Sequence, residues 1–197
     1  MEKYLFGLGG IILGALLAFA KELFVEQRSR KREAEYLAIR VVCILDSFLD
    51  GCADVVNDDG LYHGQSDKDG YSRVQVQSPT LNLDLEDVNW KSLPSDLMYE
   101  ILTFPNLIAE ANSFINSTFE YAANPPDFSE GFEERQFQYS ALGKKAAALS
   151  NKIRESYKIP NRQLSSWDVV EYVNTEFNKI SAIRAKRQVE FNAVTNG

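Results

Sequence analysis

Asp46, Asp50, Asp54 and Asp58 recur at strict four-residue spacing. On a helix such a row drifts about 40° per step and lies mostly away from the apolar seam of the same segment. Like charges at i,i+4 cost roughly 0.2–0.5 kcal/mol per pair, so the row needs compensation. A divalent cation would supply it. Carboxylates on one helix can hold Mg²⁺ beside substrate phosphates, and Glu130, Glu133 and Glu134 would complete the site from a facing helix. That chemistry would define an all-α, metal-dependent enzyme acting on a phosphorylated substrate. The plainer compensation is solvent, or pairing with Lys144, Lys145, Lys152 and Arg154. No second acidic pattern at matching spacing supports the enzyme, so the plainer account is favoured and no cofactor is expected.

Other chemical signals fail on their own terms. Asp67-Lys68-Asp69-Gly70 resembles the start of a calcium loop, but the register puts Gln65 first and Val76 twelfth, where carboxylates are required. A turn is expected there instead. His63 is the only histidine, which excludes a histidine-rich metal site. No P-loop, G-x-S-x-G, G-x-G-x-x-G or C-x-x-C occurs. Cys43 and Cys52 are nine residues apart, about 13 Å along a helix axis, and so do not pair within the chain. A net charge of −7 excludes nucleic-acid binding by bulk electrostatics. No catalytic residue is assigned.

The element that would position the row lies upstream. Residues 4–20, YLFGLGGIILGALLAFA, form a seventeen-residue run without charge. As a helix it spans about 26 Å, the short end of what crosses a bilayer. The sequence therefore predicts a single-pass transmembrane anchor over residues 1–25. A basic cluster, Arg28, Arg30, Lys31 and Arg32, follows in a juxtamembrane segment over 26–35. Such a cluster faces anionic lipid and holds its flank in the cytoplasm, which makes the anchor a signal-anchor and the C-terminal domain cytoplasmic. Gly10, Gly14 and Ala18 share one helix face, a small-xxx-small pattern that would bring two anchors together as a homodimer. The competing account is a signal peptide cleaved after Ala20, with an exported product.

Downstream, residues 36–192 read as one helical domain. Leu37, Val41, Ile44, Leu45, Phe48, Cys52 and Val55 form an apolar stripe that needs a partner. Asn57-Asp58-Asp59-Gly60 ends that helix. Two short runs around an Asp/Gly loop predict a β-hairpin insert over about 60–78. Leu81, Leu83, Leu85, Val88 and Trp90 suggest an extended path across helices. A short helix over 96–103 is expected to stop at Pro105, and a second to run to about residue 123. Asp127 or Ser129 would cap a long helix to about Tyr157. Its seam of Phe132, Tyr139, Ala146 and Ile153, with Leu142 and Leu149 between them, repeats every seven residues. Ser165 with Asp168 resembles a capping box for a last helix that buries Trp167, Val170, Val173, Phe177 and Ile180. Residues 193–197 should fray.

The expected architecture is thus all-α: a transmembrane helix continuing into an antiparallel helical bundle with a small β-hairpin insert. The expected function is a non-enzymatic interaction or scaffold module at the cytoplasmic membrane face. Its expected partners are membrane lipid and another protein, or itself.

Overall fold

A computed structural model of the chain describes residues 2–163 and 167–195, with side chains from residue 16 onward. Four helices carry the fold: α1 (Glu2–Val56), α2 (Ser95–Tyr121), α3 (Ser129–Tyr157) and α4 (Val169–Thr195). A single 3-10 turn, Trp90–Ser92, precedes α2.

Side-chain pairings give the helix directions. Asp46 meets Ser150 and Arg154, while Asp58 meets Arg135, so α1 and α3 run antiparallel. Glu100 meets Lys152, Asn112 meets Tyr139 and Phe119 meets Phe132, so α2 also opposes α3. Val173 lies against the Gly143 backbone and Arg184 pairs with Glu133, which sets α4 antiparallel to α3 as well. Three helices point one way and α3 returns between them.

Six of the seven stripe residues on α1 are buried as their spacing predicts: Leu37, Val41, Leu45, Phe48, Cys52 and Val55 are each no more than 2% exposed, while Ile44 is half-buried. The six pack with Tyr139, Leu142, Ala146, Leu149 and Ile153 of the α3 seam and with Leu97, Ile101, Phe104, Ala111 and Ile115 of α2. Removing such surface from water at about 25 cal/mol per Å² of apolar area is the main source of the bundle's stability.

Because α1 and α2 point the same way, the chain must return between them, and residues 57–94 do this as an extended strap. Val76, Leu81, Leu83, Leu85, Val88 and Trp90 pack on the core. The strap descends along α1: Arg40 donates to the Glu86 carbonyl, Asn89 Nδ2 to Glu33 Oε2, and Arg30 to the Lys91 carbonyl.

Several expectations are corrected. The β-hairpin does not form; among the described residues the only pairing of this kind is an isolated bridge between Tyr62 and Gln65. The backbone groups that would build a ladder have other partners. Gln75 and Val76 donate to Asp58, the Val76 carbonyl accepts from Arg135, and Ser72 donates to the Pro126 carbonyl. The two expected helices around Pro105 are one, α2, with the proline inside it. An interior proline costs a helix about 3 kcal/mol. Burial of Ile101 and Phe104 before it and Ala111 and Ile115 after it holds both halves in one helix.

The transmembrane anchor is not upheld either. Among the described residues, no helix is long and apolar enough to cross a membrane. The side chains of residues 4–15 of the predicted span lie outside the described set. From residue 21, α1 carries Lys21, Glu22, Glu26, Arg28, Arg30, Lys31, Arg32, Glu33 and Glu35, which leave Leu23, Phe24 and Val25 as a short apolar group among charges. The single-pass membrane location, and the cytoplasmic orientation drawn from the flanking charge, are withdrawn with it.

Candidate functional site

The aspartate row is divided among three arginines. Asp58, the deepest, has its side chain 1% exposed, and Arg135 facing it has 4%. Asp58 Oδ2 accepts from Arg135 Nη1 at 2.8 Å and from the Gln75 and Val76 amides at 3.0 Å each. Its Oδ1 accepts from the Gly60 amide at 2.9 Å. Arg135 Nη2 donates to the Val76 carbonyl, and Gln136 Nε2 donates to the Asp58 carbonyl at 3.1 Å. Four donors on one carboxylate tie the end of α1, the strap and α3 into one knot. A buried charge is tolerated in a protein interior under such conditions, when it is paired and its remaining lone pairs are satisfied.

Eight residues back, Asp50 takes both oxygens to Arg162 Nη2, each at 2.8 Å, on a partly open surface. One turn further back, Asp46 Oδ1 accepts from Ser150 Oγ at 2.8 Å, and its Oδ2 accepts from Arg154 Nη2. Arg154 Nη1 also donates to the Pro160 carbonyl, which pins the end of α3. Asp54 alone faces solvent. The like-charge strain along α1 is therefore relieved mainly by arginine, and Arg154 is the one expected partner that takes part.

The three glutamates proposed to complete a metal site point elsewhere. Glu133 pairs with Arg184 at 3.2 Å and Arg187 at 2.7 Å, and Glu134 with Arg184 at 2.9 Å. Glu130 turns back on the α3 N-terminus. Hydrogen bonds from its own amide and from the Asn124 amide hold its carboxyl below the usual glutamate range. Among the described residues, no group of three or more His, Cys, Asp or Glu side chains converges as a metal site would require. A cleft of about 420 Å³ opens where the strap, α3 and α4 meet, near Asp59, Asp127, Glu133, Glu176 and Lys179. Glu133 is already paired there, and Lys179 pairs with Glu176 at 3.1 Å.

The remaining candidates fall as follows. Arg28, Lys31 and Arg32 are exposed on the projecting length of α1; Lys31 reaches Glu35 at 3.8 Å, and Arg30 donates to the Lys91 carbonyl. Of the proposed anchor face, Gly10 and Gly14 lie outside the described side chains, and Ala18 is exposed. Asp67-Lys68-Asp69-Gly70 is a turn. Asp67 Oδ1 accepts from the Asp69 and Tyr71 amides, and its Oδ2 pairs with Arg73 at 2.7 Å. Cys43 is exposed and Cys52 buried, both as free thiols.

Sequence reasoning passed over Arg135. It stands within the α3 seam, three residues after Phe132 and four before Tyr139, where an apolar side chain is expected. A lone cation on an apolar stripe signals a buried acid elsewhere in the chain. Tyr139 sends the same kind of signal: fully buried, it donates its hydroxyl to Asn112 Oδ1 at 2.8 Å, and burial pushes its pKa up.

No protein-family model, curated protein or solved structure matches this chain.

Proposed function

We propose that the chain is a non-enzymatic helical interaction module whose partner is a protein. The observation that carries this reading is the set of large apolar side chains that the bundle leaves uncovered. Tyr99, Leu102, Phe114 and Tyr121 stand out from α2, and Val189, Phe191 and Val194 from the end of α4. Leu23, Phe24 and Val25 do so on the projecting length of α1. Aromatic and aliphatic residues in this setting are the usual anchors of protein interfaces. Asp46, Asp50, Asp58, Glu133 and Glu134 are engaged in ion pairs that hold the bundle together, which supports the same reading.

The test is site-specific photocrosslinking in the source cells, with the probe placed at Phe24, Tyr121 or Phe191 and, as a control, at exposed Lys158. Discrete adducts at one or more of the three apolar positions, and none at the control, are the expected result. Equal background labelling at all four positions would reject the reading.

A further inference from the structure

The seam that holds α4 differs in kind from the rest of the core. Of its 27 residues only Val169, Val173 and Ile180 are buried, whereas α3 buries thirteen of 29. The floor beneath it is made of small and apolar groups, Leu49 and Ala53 of α1 and Ala147 of α3. Gly143 leaves room there, since a Cβ at that position would meet Val173 at 3.0 Å. Beyond this floor the contacts are charged and aromatic. Phe177 stacks on Phe137 at 5.3 Å, Lys144 Nζ lies 3.9 Å from the Phe177 ring, and the Arg184 guanidinium lies 4.1 Å from the Phe137 ring. Arg184 and Arg187 then close on Glu133 and Glu134.

Resting on the interaction-module reading, we propose that the slot formed by α1 and α3 is a docking site for a basic amphipathic helix of a partner protein. In this arrangement α4 is the resident helix that such a partner displaces. Charge complementarity selects the occupant. The slot offers a narrow apolar floor, an aromatic face at Phe137 that attracts a guanidinium, and an acidic rim at Glu133 and Glu134. A helix that fits needs β-branched or small residues at i and i+4 and arginines about three turns further on, the pattern of Val169, Val173 and Arg184. Helix-in-groove recognition reads such spacings. A short apolar floor, with most of the remaining hold on α4 supplied by ion pairs at the rim, is what allows one helix to leave while the other three stay packed. While resident, α4 competes at the high effective concentration of a tethered ligand.

Two measurements on the full chain test this. The first is amide hydrogen exchange. The amides of α4 should exchange at least about tenfold faster than those of α3, and faster still when salt is raised to about 1 M, where the screening length falls to about 3 Å. Exchange of α4 and α3 at one common rate would overturn the proposal. The second uses a fluorescent peptide with the sequence of residues 169–195. It should bind the R184E/R187E chain at least about tenfold more tightly than the unmodified chain, because the resident helix is weakened. A peptide carrying the same two changes should not bind that chain. If the double variant does not fold, R187E alone is used, since the Arg187 side chain is 62% exposed on the rim. Equal binding of both peptides, or no binding to the weakened chain, rejects the slot. Crosslinks at Tyr121 would survive that failure, because Tyr121 lies on α2, so the slot and the interaction-module reading can fail separately.

Discussion

Asn in place of Asp58 tests the knot at the end of α1. The change keeps the shape and removes the charge. One oxygen must then serve where two did. If it stays with the Gly60 amide, the new amide group faces the Gln75 and Val76 amides and the Arg135 guanidinium, all donors. Breaking a buried ion pair by removing one partner costs about 3–5 kcal/mol. A domain's whole stability is about 5–15 kcal/mol, so this is a large share of it. With a urea slope of about 2 kcal/mol per molar, the midpoint should fall by roughly 1.5–2.5 M. Equilibrium unfolding followed by circular dichroism at 222 nm measures it. Asp54→Asn is the control, since Asp54 faces solvent, and it should stay within about 0.5 kcal/mol of the parent. Adding Arg135→Met to Asp58→Asn should restore at least half of the loss, because the unpaired buried cation is gone. A single-variant cost below about 1 kcal/mol, or a double variant worse than the sum of its parts, would refute the reasoning.

Gly60→Ala should also be costly. Gly60 has φ +81°, and an added Cβ would lie 2.4 Å from Phe132 Cζ, so backbone strain and overpacking combine to about 3 kcal/mol, read as a fall in Tm. The two thiols should separate cleanly. Burial pushes the Cys52 pKa far up, so its thiolate is scarce at pH 8; a thiol reagent should label Cys43 in the native protein and Cys52 only after denaturation, as mass spectrometry would show. Millimolar Mg²⁺ or Mn²⁺ should leave Tm unchanged. A rise of several degrees would revive the metal account of the aspartate row.

The α1 and α3 helices were legible because their apolar spacing is regular and their breaks, Asn57 to Gly60 and Ile159-Pro160, are strong. The aspartate row was half legible: its need for compensation could be read, and Arg154 was among the partners considered. Arg135 and Arg162 were not: Arg135 interrupts the α3 seam, but nothing local names its partner 77 residues away, and Arg162 lies 112 residues from Asp50 in a segment with no seam to interrupt. The strap was misread in part for the same reason. Alternating Val74 and Val76 look like a strand, but the partner that captures the Val76 amide is the Asp58 side chain, just past the end of α1. At Pro105 tertiary burial overrode a local breaker. The Ser165 half of the expected capping box lies outside the described residues, while Asp168 does cap α4, accepting from the Val170 and Glu171 amides. Trp167, expected in the core, is about half exposed.

Helix α1 runs 55 residues without a break, about 82 Å at 1.5 Å per residue, yet only the part from Ala34 onward is gripped by the core. The outer length is thus a helical extension keyed to the bundle in rotation as well as in position. One residue inserted near Ser29 would turn every outer side chain by about 100° relative to Asp46 and Asp58, while seven would return them to within about 20°. The ion pairs at Asp46 and Asp58, which join α1 to α3 and the strap, fix the reference from which that rotation is counted. The spacing between Phe24 and Asp58 therefore carries information of its own, independent of which residues lie between them.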